Sequence, residues 1–174
     1  RVGGAGFPTW RKRSFVHENA PHPPYVGANT DEMEPGTFKD RVLVNTDPHL
    51  VIEGIILAGY AIKAQKAFYF IRPTYEADAQ IIERELQVAR EAGFLGKNIL
   101  GSDFSFDIAV HRSAGRYICG EATAMVQAIM GKRAHPHKDV HMTDSGLWDR
   151  PTIITNAQTL ACGPRVTINE RAGS

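Results

Sequence analysis

Short apolar runs of strand character alternate with helical stretches along this chain, and that alternation limits the possible folds more than any other feature. Residues 25–29 and 67–72 are compact apolar runs, and 104–111 places Phe, Phe, Ile and Val at every second position. A shorter run covers 152–154. Between them the helix signals are local. Asp47-Pro48 is a helix start, with Asp as cap and Pro in the first turn, and the helix runs to about Gln65. Its apolar residues (Leu50, Val51, Ile52, Ile55, Ile56, Leu57, Ala58 and Ile62) cover much of its circumference, so it is expected to be largely buried. Thr74 is expected to cap a second helix ending near Gly93, with Ile81, Ile82, Leu86 and Val88 turned inward. Residues 120–130 form a short Ala-rich helix, and another begins at 156–161. Such a pattern predicts the α/β class: a mostly parallel sheet flanked by helices. With 174 residues and 43% apolar content, one domain over 1–174 can bury a core of its own.

In parallel sheets, ligands bind beyond the carboxyl ends of the strands. Here those ends deliver Asn29 and an acidic run, Arg72, and His111 followed by Ser113-Ala114-Gly115-Arg116-Tyr117. The acidic run, Asn29-Thr30-Asp31-Glu32-Met33-Glu34-Pro35-Gly36, crowds three carboxylates whose repulsion raises at least one pKa unless donors or a ligand offset it. Asn29 suits the edge of a flavin or nicotinamide ring. Asp31 suits a ring N–H or a ribose hydroxyl, and Glu32 and Glu34 suit ribose hydroxyls. Hard-cation binding is the alternative use of such carboxylates, but Lys39 and Arg41 are close enough in sequence to compete for them.

Two further segments carry chemistry. Gly3-Gly4-Ala5-Gly6-Phe7-Pro8-Thr9, followed by Lys12, lets backbone N–H groups approach a phosphate or a ring, with a point charge to follow. Taken alone it reads as a flexible Gly-rich end, since no Gly-Lys-Ser/Thr is present. Gly115-Arg116-Tyr117-Ile118-Cys119-Gly120-Glu121 leads into the Ala-rich helix and would aim backbone donors at the site. The alternative is an ordinary loop-to-helix junction with Tyr117 in the core. The histidines of 135–141 lack the fixed spacing of a metal set, and no metal site is expected. Cys119 and Cys162 cannot supply a four-Cys cluster and read as small apolar residues. A net charge of +1 gives no electrostatic case for nucleic acid or for a membrane surface, and no apolar run is long enough to span a bilayer. The sequence opens inside a Gly-rich motif without Met, so it is expected to be a fragment of a longer polypeptide.

Taken in order, the Gly-Gly-Ala-Gly-Phe-Pro-Thr, Asn-x-Asp-Glu-Met-Glu-Pro-Gly-Thr-Phe-Lys-Asp-Arg and Gly-Arg-Tyr-Ile-Cys-Gly-Glu segments resemble the flavoprotein subunit of NADH:quinone oxidoreductase (respiratory complex I). That family includes the diaphorase subunits of NAD-linked hydrogenases and formate dehydrogenases. Gly93-Phe94-Leu95-Gly96-Lys97-Asn98-Ile99 and Lys132-Arg133-Ala134 extend the resemblance, which covers nearly the whole chain but only the family's FMN-binding domain. The resemblance implies that FMN is held by Gly3, Lys12, Asn29, Asp31, Tyr117, Gly120, Glu121, Thr155 and Asn156. It implies that NADH or NADPH faces Gly4, Phe7, Lys12, Phe15, Glu32, Glu34, Ala122 and Met142. Hydride would pass from nicotinamide to flavin and electrons onward to iron–sulfur clusters, the flavin carrying the chemistry, so no catalytic acid or base is named. The implied partners are a thioredoxin-like iron–sulfur subunit and other cluster-carrying subunits. Any [4Fe–4S] site belongs to a C-terminal part beyond this sequence or to those partners. The implied location is the cytoplasm or the inner face of an energy-transducing membrane.

The chain also departs from the family. Arg1-Val2 replaces Gly-Arg, and Trp10, Arg11 and Arg13 are unusual. Ala122 stands where relatives carry a second Glu towards the adenosine ribose. Met142 falls near the position of an adenine-stacking Phe, and Thr155-Asn156 replaces an Asn-Asn pair. Flavin contacts are thus kept while the adenosine side is eroded. Three outcomes are compatible with this: use of NADPH or loose use of NADH, a flavin relay without nucleotide, or a scaffold.

Overall fold

The computed structural model describes residues 21–138 and 142–172, with side chains as far as 165. Within them the chain forms β1 (Tyr25–Thr30), α1 (Lys39–Thr46), α2 (Pro48–Ala61), β2 (Lys66–Ile71), α3 (Glu76–Glu91), β3 (Asp107–Arg112), α4 (Ala122–Ile129), β4 (Thr152–Asn156) and α5 (Ala157–Ala172). The strands form one sheet in the order β3-β2-β1-β4, and every ladder is parallel. This is the expected α/β architecture, a parallel sheet flanked by helices.

The order fixes where the helices lie. The chain steps outward from β1 to β2 to β3, then returns past them to place β4 on the other side of β1. Parallel crossovers are right-handed, so reversing direction puts the last crossover on the opposite face. Accordingly α2, α3 and α5 share the larger core, in which Val51, Ile55, Ile82, Leu86 and Leu160 meet Val26, Tyr69 and Ile108. On the other face α4 packs Met125, Val126 and Ile129 against Phe68, Phe70 and Ile154, with Leu147 closing the cluster. α2 and α5 approach closely because Gly54 has no side chain: a Cβ there would overlap the Leu160 carbonyl oxygen. The reversal of strand order leaves a crevice at the carboxyl ends of β1 and β4, the usual ligand position in such sheets.

Local details differ from the sequence reading for identifiable reasons. α1 was not expected. It has no side-chain cap and a weak apolar stripe, and it is held by burial of Val44 and Asp40. α2 stops at Ala61 and does not reach Gln65, because Lys63 takes a left-handed conformation (φ 56°) and Ala64 N–H donates back to the Gly59 carbonyl. Thr74 does not cap α3. Tyr75 holds that position with no side-chain bond. Val88 is 45% exposed, because the buried stripe of α3 runs through Ala79, Ile82, Leu86 and Ala89. The period-two pattern from 104 is extended chain, but Phe106 pairs with Gly96, and pairing with β2 begins only at Asp107. Cys119 is buried, as expected of a small apolar residue, and Cys162 is partly buried; both are free thiols.

Candidate functional site

At the switch point Asn29 of β1 and Asn156 of β4 are register partners, so two amides stand side by side at the carboxyl ends of adjacent strands. Neither amide is free to rotate. Asn29 Nδ2 donates to the Gly120 carbonyl (2.8 Å), and Asn29 Oδ1 accepts from Asp31 N–H (3.0 Å). Asn29 therefore ties the start of the acidic run to the turn before α4. Gly120 closes the approach: a Cβ there would lie 3.3 Å from the Asp31 carbonyl oxygen. Asn156 Oδ1 accepts from Gln158 N–H (3.0 Å), and its Nδ2 donates to Asp40 Oδ2 (3.3 Å). Each amide keeps one N–H without a partner among the described residues. Thr155 lies, by strand alternation, on the larger-core face with Ala28 and Ile153; its hydroxyl is buried and has no partner among the described residues.

The acidic run then enters a turn. Thr37 N–H donates to the Glu34 carbonyl around Pro35-Gly36, and Gly36 has φ 76°, a conformation that favours glycine. Asp31 and Glu32 are buried, while Glu34 is exposed. Neither Asp31 oxygen accepts a hydrogen bond among the described residues. Burial therefore pushes the Asp31 carboxyl up to about 6; the Ser113 hydroxyl and the Arg72 guanidinium oppose this, and Glu34 adds to it. Glu32 is better supplied. Its Oε1 accepts from Asp40 N–H (3.2 Å) and lies 3.6 Å from Lys39 Nζ, and Arg72 Nη1 donates to its carbonyl (2.6 Å). Its Oε2 is buried without a partner among the described residues. Competition from Lys39 for the acids, expected from sequence, is thus present. Arg41 instead approaches Asp78.

From the other side, the turn Tyr117–Gly120 precedes α4. Tyr117 is 67% exposed, with its hydroxyl 3.4 Å from Glu34 Oε1, which rules out the core reading of this tyrosine. Glu121 caps α4: its Oε2 accepts from Ala124 N–H (2.9 Å) and from the Thr123 hydroxyl (2.5 Å). Burial alone would raise the Glu121 carboxyl, but the Thr123 hydroxyl and the first backbone N–H groups of the helix outweigh it and hold it below its ordinary value. The donors that the sequence reading aimed at a ligand are thus partly satisfied by Glu121 itself. Ala122 opens α4, half-buried against the smaller core.

Met142 lies away from these strand ends. Its carbonyl accepts from Thr152 N–H (2.7 Å), and it lines a cavity of about 390 Å³ with Thr123, His137 and Trp148. His135 and His137 pack ring against ring, and no group of three metal-ligating side chains occurs among the described residues. Gly3, Gly4, Phe7, Lys12 and Phe15 lie outside the described residues. Asn29, Asp31, Glu32, Glu34, Tyr117, Gly120, Glu121 and Asn156 are brought together. Sequence reasoning missed Asp40, which touches both sides of the crevice. Its one visible signal was an acid next to Lys39 where α1 begins.

The crevice is rich in free acceptors: among the described residues both Asp31 oxygens and Glu32 Oε2 are buried and unpaired. That set suits FMN, whose ring N–H and polyol hydroxyls are donors. A family model described as the Nuo51 FMN-binding domain matches residues 2–164. The chain belongs to this FMN-binding family. Among its relatives, an NADH-quinone oxidoreductase subunit of Aquifex aeolicus is 50% identical over 93% of this chain and 38% of the relative. The corresponding NADH-quinone oxidoreductase subunit of Escherichia coli is 43% identical over 96% and 38%, and the mitochondrial NADH dehydrogenase [ubiquinone] flavoprotein 1 of Dictyostelium discoideum 43% over 99% and 36%. The chain therefore spans about two fifths of the length of these curated relatives. The fold is shared with an NAD+-reducing [NiFe]-hydrogenase in its H2-reduced state, with a TM-score of 0.83 and 33% identity over 95% of this chain and 28% of the other. No single helix among the described residues is long and apolar enough to cross a membrane.

Proposed function

We propose that this chain is the FMN-holding part of an NAD(P)H dehydrogenase module that passes electrons to the iron–sulfur clusters of a multisubunit complex. One observation carries the reading: two rigidly held amides and two buried, donor-poor carboxylates converge at the switch point of a parallel sheet. Asp31 and Glu32 would accept from the flavin or the ribose. Asn29 and Asn156 would each offer their remaining N–H, and Gly120 would let the ligand approach the backbone. The exposed ring of Tyr117 would form one wall. Bound FMN supplies a ring that takes hydride and releases electrons singly; the chain's own residues orient it, keep water from its polar edge and fix which donors and acceptors it meets. The partners that this reading assigns are a thioredoxin-like iron–sulfur subunit and further cluster-carrying subunits. The location it assigns is the cytoplasm or the inner face of an energy-transducing membrane. The names of the relatives given above, subunits or components of NAD-linked oxidoreductases, support the dehydrogenase reading and a multisubunit setting.

Ala122 favours a refinement within this reading. A methyl group at the first residue of α4 neither accepts from a ribose diol nor repels a 2′-phosphate, so the module is proposed to accept NADPH alongside NADH. The test is the visible spectrum of the purified complex, followed by anaerobic addition of NADH and of NADPH separately. Flavin absorbance bleached by both nucleotides is expected. Flavin that neither nucleotide bleaches would leave only a relay, and absence of flavin would leave only a scaffold.

A further inference from the structure

Asp40 is 2% exposed, a rare condition for a carboxylate, and three groups from three parts of the fold meet it. Its Oδ2 accepts from Lys39 Nζ (2.7 Å) and from Asn156 Nδ2 (3.3 Å), and its backbone N–H donates to Glu32 Oε1 (3.2 Å). Lys39 Nζ also lies 3.6 Å from that same Glu32 oxygen. A continuous polar chain thus runs from Glu32 through Lys39 and Asp40 to Asn156, joining the β1 side of the crevice to the β4 side. We infer that Asp40 is a positioning residue, one that orients Asn156 and Glu32 together so that each presents a single defined group to the ligand.

Orientation follows from what each group can donate or accept. Asn156 Oδ1 is held by Gln158 N–H, and Asp40 accepts from Nδ2. A flipped amide would set oxygen against carboxylate and NH2 against N–H, losing both bonds. Asp40 therefore locks the amide of Asn156 in one orientation and leaves its second N–H as a donor with no partner among the described residues. Glu32 is treated in the complementary way. Its Oε1 is taken by Asp40 N–H and shared with Lys39, which leaves Oε2 as the buried acceptor. Asp40 needs no contact with the ligand to act.

The inference rests on the flavin reading above, and the experiment separates the two. Full-length protein is depleted of flavin, and FMN affinity is measured by quenching of flavin fluorescence for wild type, Asp40→Asn, Asn156→Ala and the double variant, with thermal unfolding in parallel. Asp40→Asn is expected to weaken FMN binding about tenfold, the worth of one oriented hydrogen bond. In the Asn156→Ala background the same change is expected to cost less than about threefold, because the Asp40 side chain acts through Asn156, whereas the backbone N–H that holds Glu32 survives the substitution. Equal losses in both backgrounds would overturn the inference, as would unchanged affinity accompanied only by lower thermal stability. Wild type that binds no FMN would overturn the flavin reading and this inference with it. Should Asp40→Asn fail to fold, Asp40→Glu, which keeps the charge beside Lys39 but shifts the carboxylate away from Asn156, enters the same cycle and is read by the same criterion.

Discussion

Replacing Asp31 by Asn tests the site at its most costly atom. In the flavin-free protein the carboxylate is buried with neither oxygen accepting a hydrogen bond among the described residues, and burial pushes its pKa up to about 6 from an ordinary 3.8. A folded-state pKa above the unfolded one means that folding favours the protonated form. Nothing is lost below about pH 3.8; the penalty grows as pH rises towards 6 and is complete above it. At 1.36 kcal/mol per pKa unit the full penalty is about 3 kcal/mol. Asp31→Asn removes it, since an amide does not ionise. The buried amide has a desolvation cost of its own, on the order of 1–3 kcal/mol, but that cost does not change with pH. The quantity to read is therefore the variant-minus-wild-type difference in unfolding free energy, from urea titrations of the flavin-free protein at pH 4 and pH 7. It is expected to move in favour of the variant by about 2 kcal/mol between the two, because part of the penalty is already present at pH 4. A difference that stays constant within about 0.5 kcal/mol would refute a buried, unpaired carboxylate at position 31. FMN affinity is expected to fall in the same variant, because the donor-poor acceptor that weakens the free protein is the one the ligand satisfies.

Other expectations follow from the same geometry. Ala122→Glu should lower NADPH use relative to NADH by about tenfold or more, near 1.4 kcal/mol, in steady-state ratios of kcat/KM; an unchanged ratio would place the adenosine ribose elsewhere. Gly54→Ala should destabilise the fold by about 1–3 kcal/mol or more, read as a drop in Tm, because the new methyl meets the Leu160 backbone and not a movable side chain. Arg112→Ala should change stability by no more than about 1 kcal/mol despite contacts to both Glu76 and Glu83, since those partners are exposed and screened; a much larger loss in urea unfolding would contradict the exposure of that cluster.

Strand and helix order was legible in the sequence because parallel strands need crossovers, and the crossover helices carry long apolar stretches that survive as pattern. Asp47 caps α2 as its sequence position suggests, through Leu50 N–H. The Pro35-Gly36 turn was equally readable, since only glycine enters that conformation cheaply. α1 was not legible, because a helix fixed by one buried valine and one buried aspartate leaves almost no periodic signal.

The polar site divides in the same way. Residue types and their order placed Asn29, Asp31 and Glu32 at a strand end and Glu121 where a helix begins, because side-chain chemistry and local spacing are properties of the chain alone; Asn156 was marked only by the family resemblance. Tertiary structure decided what those groups do. It spends Glu121 on its own helix, turns Tyr117 out of the core, and leaves the Asp31 carboxylate buried with no donor among the described residues. It also brings Asp40 to Asn156, 116 residues later in sequence. No sequence window contains such a contact; it exists only because β4 returns to lie beside β1, and burial then sets the cost of every hydrogen bond left unmade there.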